Sequence, residues 1–261
     1  MTRRDSEGDL ASGTLARADG ATIAYLQRSA TEIRQTPGLV FLGGFRSDMT
    51  GTKATALDGF AANRGQACLR FDYRGHGGSS GQFEDLTIGD WRDDALLVLD
   101  RLTLGPQVLV GSSMGAWIMA LVAVARPERI KALVGIAAAP DFTEDLMWAV
   151  WPQHIQAALM RDGVVHIPSA YAEEPTPIGQ RLIEDGRRRL VLRGPIPFAG
   201  PVRLLHGMAD GDVPWQTSLR LAQQLTSDDV HLTLIKGGDH RLSSPAEIGL
   251  LLATVAEICS G

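Results

Sequence analysis

The amino-acid sequence predicts one α/β domain with a mainly parallel sheet and helices on both of its faces. The chain has 261 residues, of which 44% are hydrophobic and 21% charged, so it can bury a large core. Short apolar runs alternate along it with longer segments of helical period, which is the pattern of βα units. Every apolar stretch falls well short of the roughly 20 residues of a membrane span. These observations favour a soluble α/β protein without a membrane span.

The predicted elements follow from the spacing of the apolar residues. Seven short apolar runs predict strands at Ile23–Leu26, Leu39–Leu42, Ala67–Phe71, Val108–Gly111, Ala132–Ile136, Val202–Leu205 and Leu232–Ile235. Five longer segments predict helices at Lys53–Asn63, Ile88–Leu102, Met114–Ala125, Trp215–Leu225 and Ala246–Ile258. Parallel strands need long crossover connections, which these helices supply.

The alternation breaks between Asp141 and Phe198, a segment too long for a plain crossover. It carries more large apolar side chains than a solvated loop would: Met147, Trp148, Trp151 and Met160. We therefore predict that residues 141–198 form a small cap over one end of the sheet. Met147, Trp148 and Trp151 are expected to contact substrate there. Residues 1–12 are expected to be disordered.

Charge and cysteine content exclude several classes of protein. The chain has 25 basic and 30 acidic residues, a net charge of −5, and no long run of like charge, so we expect no nucleic-acid partner. Cys68 and Cys259 lie in no CxxC or CxxH spacing, which argues against a disulfide framework and a zinc site. The first ten residues hold three acids and two arginines, unlike a secretory signal or a mitochondrial transit peptide. The sequence thus predicts a cytoplasmic location.

The sharpest chemical signal is the pentapeptide Gly111-Ser112-Ser113-Met114-Gly115, which has the form G-x-S-x-G. Taken alone, it could be an ordinary glycine-rich turn. Here it stands directly after a predicted strand and directly before a predicted helix, which is the context of a nucleophile elbow. The glycines leave room for the strained turn, and the helix N-terminus favours a developing oxyanion. Ser113 is therefore the predicted nucleophile.

A serine nucleophile needs a base, and the base needs a carboxylate that orients it. Asp210 and His240 each follow one of the last two predicted strands, so they are the predicted acid and base. Asp212, in the same loop as Asp210, is the alternative acid, although its position also suits a helix cap. Asp239 is expected to face away from the site.

Two further loops are rich in glycine. Gly43-Gly44-Phe45 follows the predicted strand Leu39–Leu42, and we predict that the backbone N–H groups of Phe45 and Met114 form an oxyanion hole. A plain Gly-Gly turn is the alternative. The second loop, residues 71–79, lacks the context of a dinucleotide site and is interpreted as scaffold. His206 is expected to shape a turn, and the remaining histidines are expected to be structural or solvated: His76, His154, His166 and His231.

Longer stretches carry a resemblance to a known family. They read GGFRSDMTGTKA at 43–54, RFDYRGHG at 70–77, GSSMG at 111–115, RLLHGMADGDVPW at 203–215 and GGDHR at 237–241. Together they resemble the α/β-hydrolase superfamily. More narrowly, they resemble the animal mitochondrial acyl-protein thioesterases that are also described as mycophenolic acid acyl-glucuronide esterases. The likeness runs from about Thr22 onward and implies an α/β-hydrolase fold, a small cap and a triad of Ser113, Asp210 and His240.

We therefore expect a serine hydrolase that cleaves carboxylic esters or acyl thioesters through an acyl-enzyme, without metal or cofactor. Its expected partner is a small-molecule or acylated substrate, and the sequence specifies no oligomeric state. Two alternatives remain open. A peptidase of the same fold would usually bring a larger second domain. A non-enzymatic hydrolase-like binding protein would commonly have lost a member of the triad.

Overall fold

A sheet of eight strands forms the centre of the protein. The computed structural model describes residues 10–31, 36–169 and 174–260. The strands of this sheet are β1 (Leu10–Ala16), β2 (Thr22–Arg28), β3 (Gly38–Leu42), β4 (Cys68–Phe71), β5 (Gln107–Ser112), β6 (Ile130–Ile136), β9 (Val202–Gly207) and β10 (Val230–Ile235). Their spatial order is β1-β2-β4-β3-β5-β6-β9-β10. β2 is antiparallel to both β1 and β4, and all the other neighbours are parallel.

The central strands are apolar on both faces. In β3, Leu39 and Phe41 belong to one buried core, whereas Val40 and Leu42 belong to the other. β5 repeats this alternation. Because successive side chains of a strand point to opposite faces, a strand buried on both sides has an uninterrupted apolar sequence. This is why short apolar runs predicted these strands.

Helices cover both faces of the sheet. They are α1 (Thr52–Arg64), α2 (Ile88–Leu102), α3 (Met114–Ala125), α4 (Gln153–Asp162), α5 (Gln180–Arg187), α6 (Gln216–Gln224) and α7 (Pro245–Ser260). Buried side chains of α1 and α7 join the core on one face, and those of α2 and α3 join the core on the other. Within the described ranges, no helix combines the length and the apolar character that crossing a membrane requires.

The predicted fold class is confirmed, and all seven predicted strands and five predicted helices are present. β1 is not among the predicted strands, because most of its side chains are half-buried or exposed and give little apolar signal. The expected disorder of residues 1–12 is wrong for residues 10–12. Leu10 and Ser12 pair with Arg28 and Leu26 of β2, so backbone hydrogen bonds order this stretch. Residues 1–9 lie outside the described residues.

The segment between β6 and β9 contains several elements of its own. A π-helix at Thr143–Trp148 leads into α4, a hairpin of β7 (Val164–Ile167) and β8 (Thr176–Gly179), and then α5. Leu159 of α4 and Leu182 of α5 are fully buried and extend the core formed by α2 and α3. The segment is therefore packed onto the sheet domain through apolar contacts.

One carboxylate joins the two ends of this segment. Asp141 has a φ of 59° and a fully buried side chain at the point where the chain leaves β6. Its two oxygens accept hydrogen bonds from the backbone N–H groups of Val191 (2.8 Å) and Leu192 (2.9 Å), fifty residues later in the chain. The beginning and the end of the segment are thus held at one place.

Helix α3 lies very close to the sheet because of two glycines. A Cβ atom at Gly115 would stand 2.0 Å from the carbonyl oxygen of Leu42, and a Cβ atom at Gly111 would stand 2.6 Å from the carbonyl oxygen of Gly115. Both contacts are with backbone, which cannot move aside as a flexible side chain can. Only glycine fits at these two positions.

This close approach predicts opposite outcomes for two glycine-to-alanine changes in helices. We expect Gly115→Ala to lower the free energy of unfolding by about 1–3 kcal/mol, since the added methyl group overpacks the contact between α3 and β3. Gly59→Ala is the matched control, because position 59 is an exposed site in α1 with open space around it. That change should stabilise the protein by about 0.5–1 kcal/mol. Urea unfolding measures both free energies. Equal stability of the two variants would show that the close approach of α3 to β3 does not depend on glycine at position 115.

Candidate active site

Ser113 is the single residue between the end of β5 and the start of α3. Its φ of 54° and ψ of −118° lie in a region that non-glycine residues rarely adopt. Hydrogen bonds hold the turn in place. The N–H of Ser113 donates to the carbonyl oxygen of Ile136 in β6 (2.8 Å), and the carbonyl oxygen of Ser113 accepts from the N–H of Ala139 (3.2 Å). The strand-to-helix context predicted from sequence is therefore present.

The structure brings the predicted nucleophile, base and acid together. Ser113 Oγ lies 3.0 Å from His240 Nε2, and His240 Nδ1 lies 2.7 Å from Asp210 Oδ2. The side chain of His240 is 16% exposed and that of Asp210 is fully buried. A serine hydroxyl can donate its proton to Nε2 while Nδ1–H donates to the carboxylate, so the three groups form one continuous hydrogen-bonded chain.

Four donors surround the carboxylate of Asp210. One oxygen accepts from the backbone N–H groups of Asp212 (2.9 Å) and Val213 (2.8 Å), and the other accepts from His240 (2.7 Å) and His206 (3.1 Å). Burial alone would raise the pKa of Asp210, but these hydrogen bonds outweigh burial and hold that pKa well below its usual range. The carboxylate is therefore ionised and fixed in orientation at neutral pH.

His206 has a larger role than shaping a turn. It is fully buried, and its Nε2 faces two acceptors, Asp210 Oδ2 and the carbonyl oxygen of Val213 (3.0 Å). Nε2 therefore carries the hydrogen, and Nδ1 accepts from Ser218 Oγ at 2.6 Å. The sequence reasoning missed this contact. The spacing H-G-x-x-D, which places His206 four residues before the acid, is the signal that could have indicated it.

The loops that carry the acid and the base are packed backbone to backbone. A Cβ atom at Gly207 would lie 2.1 Å from the carbonyl oxygen of Gly238, and the N–H of Ala209 donates to that same oxygen (2.9 Å). Lys53 of α1 donates to the carbonyl oxygen of Arg241 (2.5 Å), directly after His240. The contacts of Gly207 and Ala209 join the two loops directly, and that of Lys53 ties the His240 loop to α1.

The other two acids near the base have different positions. Asp239 is expected from the sequence to face away from the site; its carboxylate accepts from the backbone N–H groups of Arg241 and Leu242 and so caps its own loop. Asp212 is exposed, and its carboxylate lies within 4.8 Å of the ligand atoms of Asp210 and His240. These three residues could in principle share a cation. We assign them no metal, because His240 is already hydrogen-bonded through Nδ1 to Asp210 and through Nε2 to Ser113.

The predicted oxyanion loop lies against Ser113. A Cβ atom at Gly44 would stand 3.3 Å from the carbonyl oxygen of Ser112 and 3.4 Å from Ser113 Cβ, so this glycine allows the loop to approach the elbow. Phe45 follows it directly. Met114 is the first residue of α3, where backbone N–H groups have no partner within the helix.

A cavity of about 670 Å³ opens beside Ser113 and His240. Its apolar lining includes Phe45, Met114, Phe142, Leu146, Met147 and Val213. Its polar lining includes Arg46, Asp48, Lys53, Asp212 and Arg241. A volume in this range accommodates a small organic ligand or an acyl group.

Of the three cap residues predicted to contact substrate, only Met147 lines this cavity. Trp148 and Trp151 are half-buried and pack against the core beneath the segment, and the Arg187 guanidinium lies 4.5 Å from the Trp148 ring. Met160 is 54% exposed. The composition of the segment identified its large apolar residues, but it does not distinguish packing against the core from lining the cavity or lying exposed.

Similarity to known proteins covers most of the chain. Residues 53–182 match the family model described as alpha/beta hydrolase fold. The human protein named palmitoyl-protein thioesterase ABHD10, mitochondrial, is 41% identical over 245 residues, which are 94% of this chain and 78% of that protein. The mouse protein of the same name is 43% identical over 225 residues, which are 86% of this chain and 75% of that protein.

Two solved structures are similar over nearly their full length. A putative hydrolase from Agrobacterium vitis S4 has a TM-score of 0.91 and 41% identity, covering 96% of this chain and 98% of that chain. The alpha/beta hydrolase domain-containing protein 10 from mouse has a TM-score of 0.87 and 40% identity, with the same coverage.

The cytoplasmic location expected from the sequence is wrong. The human and mouse relatives are both named as mitochondrial, and the sequence similarity to the human relative covers 94% of this chain. The expectation rested on the charge of ten residues at the N-terminus, which is a much smaller part of the molecule than the part that carries the likeness.

Proposed function

This chain belongs to the α/β-hydrolase family, and on that basis we propose that Ser113, His240 and Asp210 form the catalytic triad with which it cleaves carboxylic esters and acyl thioesters. One observation carries the proposal: two consecutive hydrogen bonds, of 3.0 and 2.7 Å, link the hydroxyl, the imidazole and the carboxylate. The relatives named as palmitoyl-protein thioesterases favour acyl thioesters as the substrate class.

The reaction begins with proton transfer. His240 Nε2 takes the hydroxyl proton of Ser113 as Oγ attacks the acyl carbonyl carbon, and a tetrahedral intermediate forms. The imidazolium then gives its proton to the departing thiolate or alkoxide, and the acyl group remains on Ser113. Water, deprotonated by His240, attacks this acyl-enzyme and releases the carboxylic acid, with the proton returning to Ser113.

Asp210 supports each of these steps through charge and orientation. Its hydrogen bond to Nδ1–H keeps the imidazole in the tautomer whose Nε2 is free to accept a proton. Its low pKa keeps the negative charge in place beside the imidazolium. The bond from His206 supplies a further donor that holds the carboxylate plane, because His206 is itself fixed by Ser218.

The negative oxygen of the tetrahedral intermediate would be held by the backbone N–H groups of Phe45 and Met114. Two observations support this assignment. Gly44 brings the Phe45 loop against Ser113, and Met114 begins α3, whose dipole favours negative charge at its N-terminus. Both groups belong to backbone that is already fixed, so little reorganisation accompanies the reaction.

We propose that the acyl group occupies the apolar side of the cavity. Phe142, Leu146 and Met147 come from the start of the segment 141–198, which we propose acts as a cap on a single domain. Each methylene buried against such side chains contributes about 0.8 kcal/mol, whereas an unpaired buried charge costs several. This lining favours an acyl chain over a charged peptide.

The nucleophile is tested by labelling and by substitution. A fluorophosphonate should label Ser113, and Ser113→Ala should lower kcat for p-nitrophenyl esters by about 10⁴- to 10⁶-fold, because no other group can form the acyl-enzyme. Ser112→Ala is the control and should have a much smaller effect. Labelling at Ser112, or activity retained in Ser113→Ala, would rule out the assignment.

The acid is tested by two asparagine variants that preserve size and remove charge. Asp210→Asn should lower kcat by about 10³- to 10⁴-fold, since His240 loses the partner that sets its tautomer and stabilises the imidazolium. Asp212→Asn should leave kcat within a few-fold of wild type. If the two results were exchanged, Asp212 would be the acid.

The acyl site is tested by two methionine-to-alanine variants in the same segment. kcat/KM should rise from acetyl to butyryl to octanoyl thioesters in the wild type. Met147→Ala should lower the octanoyl value by about 5- to 30-fold with little change for acetyl, because the chain loses apolar contact. Met160→Ala, at an exposed position, should change neither value. A flat acyl-length profile in the wild type would mean that the cavity does not select the acyl group.

A further inference from the structure

His76 lies in the loop that sequence analysis interpreted as scaffold, yet it contacts the proposed oxyanion loop. Its Nε2 accepts a hydrogen bond from the backbone N–H of Arg46 at 3.1 Å. Arg46 is the residue directly after Phe45, whose own N–H is proposed to hold the oxyanion. His76 is only 4% exposed, so the acceptor in this hydrogen bond is buried.

The partners of the ring fix its protonation state. Nδ1 lies 3.2 Å from the carbonyl oxygen of Arg74, which can only accept, so Nδ1 carries the hydrogen. Nε2 is then left with a lone pair for the N–H of Arg46. Burial lowers the pKa of His76 to about 4, which agrees with a neutral ring at pH 7. A protonated ring would present two donors and could not accept this bond.

The backbone that His76 holds has an unusual conformation. Arg46 has a φ of 55°, in the left-handed region that disfavours residues other than glycine. Beyond it, Ser47 donates from both its N–H (3.2 Å) and its hydroxyl (2.9 Å) to the carbonyl oxygen of Gly44. These bonds close a tight turn around Phe45 and Arg46, and the bond to His76 ties that turn to the rest of the protein.

The side chain of Phe45 rests on the same group of rings as His76. Phe45 contacts Phe83 and Trp91 edge to face, with ring centroids 4.9 and 5.9 Å apart. His76 contacts Phe83 and Trp91 at 5.2 and 5.1 Å. One aromatic cluster, formed by Phe45, His76, Phe83 and Trp91, therefore holds this turn through side-chain packing and through a backbone hydrogen bond.

From these contacts we infer that His76 is a positioning residue for the reaction, which aims the N–H of Phe45 at the oxyanion by fixing the backbone of Arg46. The inference rests on the proposed function. The oxyanion charge develops fully only in the tetrahedral intermediate. A misplaced N–H therefore destabilises that intermediate more than it destabilises the bound substrate. The loss should appear in kcat rather than in KM.

Three substitutions separate positioning from packing. His76→Phe keeps a ring in the cluster and removes the acceptor. His76→Asn removes the ring and has an oxygen too close to the backbone to reach Arg46, whereas His76→Gln can place an oxygen near the position of Nε2. Both amide variants lose the ring, so only the reach of the acceptor differs between them.

We expect His76→Phe and His76→Asn to lower kcat for an acyl thioester by about 10- to 100-fold, with KM within about two-fold of wild type. A trifluoromethyl ketone, which forms a tetrahedral adduct on the nucleophile, should bind these variants more weakly by a similar factor. His76→Gln should recover most of both losses. Thermal unfolding of each variant shows whether it is folded, and the Gln and Asn pair still tests the inference if the Phe variant does not fold.

Two outcomes would overturn the inference. If kcat and inhibitor binding stay within two-fold of wild type in all three variants while Ser113→Ala is inactive, His76 has no positioning role and the proposed function stands. The same conclusion follows if His76→Gln and His76→Asn lose equal activity, since acceptor reach would then not matter. Activity retained in Ser113→Ala would overturn the proposed function together with this inference.

Discussion

The close contact between α3 and the sheet is the constraint on which the site depends. Gly111 and Gly115 let the helix begin almost on top of β3 and β5, and the chain between them must turn so sharply that Ser113 adopts a positive φ. That turn raises the hydroxyl above the sheet edge and leaves the helix N-terminus directly behind it. The bond to Ile136 then ties the turn to β6. A methyl group added at either glycine would collide with backbone and disturb this turn.

The rest of the site is built from loops that are fixed before substrate arrives. Asp210 is surrounded by four donors, and its loop shares backbone hydrogen bonds with the loop of His240. On the opposite side, the Phe45 turn is held by an aromatic cluster and by His76. Each group of the proposed site thus has a second contact that sets its direction. Electrostatic stabilisation is strongest when dipoles are already oriented, and this arrangement supplies that condition.

Sequence reasoning succeeded where one physical rule dominates. α2 and α3 have the predicted bounds, because apolar periodicity and sharp termini mark them, and the order of serine, acid and base along the chain indicated groups that do meet. It failed where a choice depends on three-dimensional packing. Trp148 is apolar enough to line a cavity or to fill a core, and only the fold decides between them. The hydrogen-bond partners of His206 and His76 depend on loop geometry, which residue type alone does not encode.

The hydrogen bonds of Asp141 bear on how the sequence of the segment 141–198 can change in evolution. The Asp141 carboxylate lies where the chain leaves β6, and it binds the backbone of Val191 and Leu192, where the chain returns. The stretch between them is therefore held together at its two ends. Changes of length or sequence within that stretch can leave the strand order intact where the buried contacts of Leu159 and Leu182 are kept. Selection can therefore change the proposed walls of the substrate site while the arrangement of Ser113, Asp210 and His240 is kept.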